Sequence, residues 1–403
     1  SGTMDVNGNL TITQVDSLDS GTIAVAGNVT STDPEVAGTA TVLFDGTGAQ
    51  TLGGTGELPH VTINKASGTL AITGTIEISG NWTYTAGTVN AGTSTVTFDN
   101  TSQNQEITAG AMSFNHVTIN KGVSNLTVSG TMDVNGNLTI TQVDSLDSGT
   151  IAVAGNVTST DTEVTGTATL LFDGTGAQTL GASGGTGEVP HVTINKASGT
   201  LTIQDTIEIS GNWTYTAGTV AAGTSMVVFD NVNQGQTVSA GTMFFNNLTV
   251  EKGTTTLTAN GAMGLNGNLT IASGILDQNG YDLTVTDISL AADSTWINHS
   301  GVESTTTLAG DVSNNGTIDL DFSAGGCGDA DKIKIRSSVG GTLRAWSGSG
   351  IFSMVDVDVQ DQAGTAAITV FDGKNSLNNG ANWIFVSCGS STQNIIIDWR
   401  EVY

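Results

Sequence analysis

The chain is short of the residues that most often mark a catalytic or membrane-bound protein. Of 403 residues, two are Cys, three Pro, four His and ten Lys or Arg, and aromatic residues make up 5%. Each shortage excludes something. Ten basic residues against 37 acidic ones give a formal net charge of -27, so nucleic acid and anionic membrane surfaces are repelled while cations such as calcium are drawn in. The two cysteines, Cys327 and Cys388, sit in neither a CxxC nor a His-rich spacing, which excludes a common zinc site. A single disulfide between them in an oxidising, extracellular compartment is the natural expectation, and two buried thiols are the alternative. No run of about 18 apolar residues occurs, so no membrane insertion is expected. GxSxG, the phosphate loop, HExxH and CxxCH are all missing, so neither an enzyme nor a resident cofactor is expected, calcium aside.

What the chain has is repetition. Residues 1–33, SGTMDVNGNLTITQVDSLDSGTIAVAGNVTSTD, return unchanged at 129–161. The motif HVTIN begins at His60, His116 and His191, with NLTV at Asn247 as a relative, and the first and last of these intervals are equal. A Gly-Asn marker falls at Asn9, Asn28, Asn81, Asn137, Asn156, Asn212 and Asn268, its shortest step running from Asn9 to Asn28 and again from Asn137 to Asn156. Read as one, two or three copies of a short unit, these steps give a coil of roughly 18–19 residues. Short apolar–polar alternations such as VTI at 61–63, IEI at 76–78 and VTF at 96–98, set between Gly, Asn and Asp corners, read as strands. The fold expected is all-β, a right-handed parallel β-helix or β-solenoid. Residues 1–285 form its repeated part, with units 1–128 and 129–259 and a partial third from 260; residues 286–403 continue as diverged coils ending in a cap. A module copied in this way lengthens a stack.

Several residues invite a chemical reading. His60, His116 and His191 lead strands, but Asn at the fourth equivalent position favours a corner role over general-base chemistry. Asp45, Asp99, Asp173 and Asp230 close Phe-Asp-Gly or Phe-Asp-Asn turns, where an Asx turn accounts for them better than a glycosidase pair. Asp16 and Asp19, their copies Asp144 and Asp147, and Asp329 with Asp331 in CGDADK offer oxygen to calcium without forming an EF-hand. Trp82 with Tyr84, and Trp213 with Tyr215, would stack on glycans if exposed and fill the coil if buried. Asn9, Asn28, Asn137 and Asn156 are expected to form amide ladders from coil to coil.

GTIAVAGNV, STVTFDNTSQNQEI, FNHVTINK and GDADKIKI resemble the passenger regions of autotransporters and filamentous-haemagglutinin-like bacterial surface proteins. The resemblance implies secretion and display on the cell surface. With the near-identical modules and a start in mid-repeat, it leads to the expectation of a structural fibre subunit joined head to tail to copies of itself. A glycan-binding adhesin stalk and a polysaccharide-active enzyme are the alternatives. The closing segment NIIIDWREVY, residues 394–403, is expected to cap its own stack or pair with a neighbouring subunit.

Overall fold

The computed structural model describes residues 2–322 and 332–387. Among them the regular elements are strands, with no helix, and the strands pair in parallel to build a β-solenoid of about 18 coils at about 20 residues per turn. The chain divides into two compact units, residues 1–267 and 268–403.

In the first unit three ladders climb side by side. The first stacks Thr3–Val6, Thr22–Val25, Thr41–Phe44, the start of His60–Ile72, the start of Trp82–Asn90, Gln105–Thr108 and Asn125–Val128. The second stacks Leu10–Ile12, Val29–Ser31, Gln50–Gly54 and the end of His60–Ile72, and higher up Ser113–Phe114, Thr131–Val134, Thr150–Val153 and Thr169–Phe172. The third stacks Glu57–Leu58, Thr75–Ile78, Thr95–Phe98, His116–Asn120, Leu138–Gln142 and Val157–Ser159. Alternation along each strand sends every second side chain inward. Val42, Val61 and Trp82 therefore lie one over another in register with no exposed surface, each burial contributing about 1.5–3 kcal/mol. Coils approach closely at their corners: a Cβ on Gly54, whose φ is +118°, would fall 1.8 Å from the Ser31 carbonyl oxygen of the coil below.

Coil length is where the sequence reading needs correction. Thr3 pairs with Thr22 and Thr22 with Thr41 at the short step, but the coil from Val61 to Trp82 is longer and the coil from Trp82 to Ile107 longer again. The expected unit of roughly 18–19 residues holds at these coils and at scattered later ones such as Leu269 to Ile288 and Arg344 to Gln362, but not along the whole chain. Elsewhere the added residues form corner loops such as 99–104 or are taken up as register shifts within the ladders, as between Tyr84 and Thr88.

The copies consequently do not lie directly above one another. Thr3 is on the first ladder and its copy Thr131 on the second; Leu10 is on the second and its copy Leu138 on the third. Glu57 is on the third ladder, and its copy Glu188 continues the first, through Asn125–Val128, Ser145–Asp147 and the Ser145–Thr165 bridge. One block, from Thr3 to its copy Thr131, thus completes six turns and a third, and each copy faces the next side of the triangle. The interval between His60 and His116 is two turns and two thirds of longer coils, not three short ones.

In the second unit the coils continue with irregular spacing. Leu269–Asp277 pairs with Ile288–Leu290 and Ser294–Asn298, while a long coil separates Thr317 from its partner Ile351 and a short one separates Ile368 from Trp383. Cys327, Cys388, Asp329, Asp331 and residues 394–403 lie outside the described residues.

Candidate functional site

The corners carry most of the recurring polar chemistry. Asn9 and Asn28 stack as the shortest marker step predicts, and so do Asn137 and Asn156. The bond, however, is not amide to amide. Each side-chain Oδ1 accepts the backbone N–H of the residue one coil up: Asn28 N–H donates to Asn9 (2.9 Å), Thr51 to Asn28 (2.8 Å), Asn156 to Asn137 (3.0 Å) and Thr179 to Asn156 (2.9 Å). A corner amide has no ladder partner in its own coil, so a side-chain acceptor below satisfies it.

The histidines do the same work. Nδ1 of His60, His116 and His191 accepts from the N–H of Asn81, Asn137 and Asn212 at 2.8, 2.9 and 2.8 Å. That requires Nδ1 to be unprotonated, and burial lowers the pKa of His60 and His191 accordingly. These contacts support the corner role, and each nitrogen that could have served as a base is already used. His60→Asn, which keeps an acceptor, should change stability by less than about 0.5 kcal/mol, whereas His60→Ala should cost about 1 kcal/mol. Equal losses in the two variants, measured by urea unfolding, would refute the acceptor role.

Below the corners lies a feature that the sequence reading missed. Lys65, Lys121, Lys196 and Lys252 are buried, at 2% exposure or less. The Lys121 ammonium donates to the carbonyls of Asn100 (2.6 Å) and Gln103 (2.8 Å) and to Gln105 Oε1 (2.7 Å). Gln105 Nε2 in turn donates to the carbonyls of Ile78 and Gly80, at 2.6 and 2.5 Å, in the coil below that. One lysine and one glutamine thereby tie three successive coils. Lys65 with Gln50, Lys196 with Gln178 and Lys252 with Gln236 repeat the arrangement. The available signal was a basic residue recurring after each HVTIN-like strand in a chain with only ten basic residues.

The Phe-Asp acids belong to the same device. The charges of Asp45, Asp99, Asp173 and Asp230 act on Lys65, Lys121, Lys196 and Lys252 respectively. The Asx turn expected of Asp99 and Asp230 is made instead by their neighbours: Asn100 Oδ1 accepts from Ser102 and Gln103, and Asn231 Oδ1 from Asn233. Asp99 Oδ1 and Asp230 Oδ1 are buried without a hydrogen-bond partner. Asp147 accepts from Ser145 Oγ at 2.6 Å, and Asp19 likewise accepts from Ser17 Oγ, each contact reaching back only two residues along its own coil.

One group of acids does converge. Carboxylate oxygens of Glu188, Glu208 and Asp230 lie within 4.8 Å of one another, on successive coils beside an open groove. Burial, with neighbouring carboxylates adding to it, pushes Glu188 up to about 9 and Glu208 to about 7; burial pushes Asp230 to about 6. Three carboxylates are the donors a divalent cation would use, although calcium takes six to eight oxygens. The matching groove of the first block holds Glu57 and Asp99, with Asp99 pushed by burial to about 7.

The aromatic pairs separate. Trp82 and Trp213 have no exposed surface, and each Nε1 donates to a methionine sulfur, Met112 at 3.2 Å and Met243 at 3.3 Å. They fill the coil and present no face to a sugar, because their register places them inward over Val61 and Val192. Tyr84 and Tyr215 are half-buried, each hydroxyl donating 2.6 Å to the carbonyl of Gly87 or Gly218.

Comparison with known proteins finds no family model, curated protein or solved structure that matches the chain. Among the described residues no helix is long and apolar enough to cross a membrane.

Proposed function

We propose that the chain is a structural shaft of an extracellular or cell-surface fibre, joined to copies of itself coil on coil. The observation that carries this reading is the displacement of each exact copy by a third of a turn. A single active centre needs one constellation of groups in one place, whereas here identical surfaces point in different directions, and what they share is the inward core and the ties between coils. Extracellular placement rests on the acidic, Thr- and Asn-rich composition and on the textural resemblance to bacterial surface proteins. The adhesin alternative loses its tryptophans to the core and retains only the half-buried tyrosines.

Duplicating residues 129–259 in place tests the shaft directly. The added block should seat as six turns and a third, lengthening the molecule by about 30 Å at ~4.8 Å per turn, with unchanged β-signal per residue in circular dichroism. An added block that behaves in small-angle scattering as a separate tethered body, or one that fails to lengthen the particle, would defeat the reading. Electron microscopy at rising concentration tests the fibre: dispersed short particles at every concentration would reduce the proposal to a monomeric spacer.

A further inference from the structure

The chain holds six Asn-Gly steps, at Asn7, Asn135, Asn266, Asn279, Asn315 and Asn379. Gly has no side chain to shield its amide, so at such a step the Gly nitrogen can reach the preceding carboxamide, provided that its N–H is not already held by an acceptor. In five of the six it is held. Gly136 donates to the Asn115 carbonyl at 2.7 Å, Gly267 to that of Asn246 at 2.9 Å and Gly380 to that of Gln362 at 2.8 Å. Gly280 and Gly316 donate to the side-chain oxygens of Asn298 and Asn314, at 3.0 and 2.9 Å. Among the described residues, the Gly8 amide alone of the six has no acceptor.

Asn7 and Asn135 lie in the same sequence, TMDVNGNLTIT, and both are exposed. What differs is the coil beneath. Ser113–Phe114 pairs below Thr131–Val134 and His116–Asn120 below Leu138–Gln142, whereas among the described residues Thr3–Val6 and Leu10–Ile12 pair only with the coils above them. Met132 accordingly has no exposed surface, and its copy Met4 is 51% exposed. A Cβ on Gly136 would fall 2.6 Å from His116 Nδ1, while one on Gly8 would meet nothing within 4 Å. One peptide is thus locked in one copy and unhindered in the other.

We propose that Asn7 is a self-modifying site, where the Gly8 nitrogen closes on the Asn7 carboxamide and converts residue 7 to aspartate and isoaspartate. The Gly8 nitrogen forms a bond to Asn7 Cγ. The Cγ–Nδ2 bond breaks, and Nδ2 leaves as ammonia with the proton that the Gly8 nitrogen gives up. Water, the only co-reactant, then opens the cyclic imide at either of its carbonyls. Both products add a negative charge to the opening coil of an already acidic chain. Isoaspartate also lengthens the main chain by one carbon ahead of Leu10 and Ile12, whose inward alternation depends on register. The consequence for assembly rests on the fibre reading. A coil seated beneath gives Gly8 an acceptor, as Asn115 does for Gly136, so joined subunits keep Asn7 and unjoined ones lose a matched joining face as they age.

The test holds the intact chain in dilute, mildly alkaline solution and then cuts it after Glu, which releases residues 1–35 and 107–163 as distinct fragments around the shared sequence. Mass spectrometry should show Asn7 converting at least about tenfold faster than Asn135, since a bonded amide must open before it reacts. In urea, where neither amide is held, the two sites should convert at equal rates. Placing a second copy of residues 107–128 ahead of Ser1 should restore the covering coil and slow Asn7 to the pace of Asn135. Equal rates at the two sites in the native chain, or unequal rates in urea, would overturn the proposal. So would an Asn7 that stays fast above the added coil while circular dichroism shows the β-fold intact. These readouts need no fibre: a chain that never polymerises leaves the selectivity at Asn7 standing and removes only the protection of joined subunits.

Discussion

Replacing Lys121 by Met is expected to lower the stability of the coils around it by about 3–5 kcal/mol, the range for removing one member of a buried charged network. Exchange of a buried ionic group for a hydrophobe is often harmless where all its partners leave with it. Here they cannot leave. The carbonyls of Asn100 and Gln103 are backbone, and Gln105 Oε1 is held in place by the two bonds that its Nε2 makes to Ile78 and Gly80. Each acceptor stranded in the core costs about 1–3 kcal/mol. Met matches the lysine stem in bulk but donates nothing. Because coils in a solenoid unzip locally, hydrogen exchange is the suitable measurement: amides of residues 100–128 should lose protection while those near Lys65 keep theirs. Lys121→Met combined with Gln105→Leu should cost at least about 1 kcal/mol less than the sum of the single changes, since both remove the same bond. A loss under about 1 kcal/mol in the single variant, or additivity in the double, would show that the lysine is only packing its stem.

How much of this was legible beforehand differs by level. Parallel coils, Asn stacking at Asn9 and Asn28, and the corner role of the histidines could be read because each repeats at a short interval and depends on local chemistry. The third-of-a-turn offset could not. It arises from summing coils of unequal length, Thr3 to Thr22, Val61 to Trp82 and Trp82 to Ile107, and the added lengths lie in loops without periodicity of their own. The burial of Lys65 and its three counterparts was hidden for another reason. A lysine after a strand reads as a solvated corner, and only a glutamine earlier in the chain, across a coil, supplies the acceptor that makes burial tolerable. The cluster of Glu188, Glu208 and Asp230 needs the same three-dimensional register: Glu188 pairs with Glu208, which pairs with Val228, just before Asp230.

That cluster makes the first unit more stable in mild acid than at alkaline pH, and Glu188→Gln should abolish much of the difference. Glu188, 6% exposed, is pushed by burial and by Asp230 and Glu208 to about 9, and Glu208 to about 7. A carboxyl group raised in the folded state contributes stability that is fully present below its ordinary value of about 4.3 and is lost as pH rises through the raised value. The loss therefore falls between about pH 4.5 and 9, with the three protons leaving as a coupled set. The buried lysines act in the opposite sense, because burial lowers Lys121 and Lys252 to about 8. Their contribution is present above the ordinary amine value of about 10.4 and is lost as pH falls through 8, so from pH 5 to 7 the acids govern. His60 and His191, lowered by burial, contribute above the ordinary imidazole value and lose that contribution only as pH falls through their lowered values. Gln at position 188 keeps an acceptor for the Val164 N–H that bonds this carboxylate and carries no charge at any pH. The variant should match the parent near pH 4.5 and exceed it by about 2–3 kcal/mol at pH 8, at about 1.36 kcal/mol per unit of pKa shift and with the neighbouring acids taking up part of the effect. Urea unfolding followed between pH 4.5 and 8 decides the matter: parallel curves for parent and variant would mean that Glu188 is ionised in water-like surroundings and that the three carboxylates do not confront one another in the folded coil.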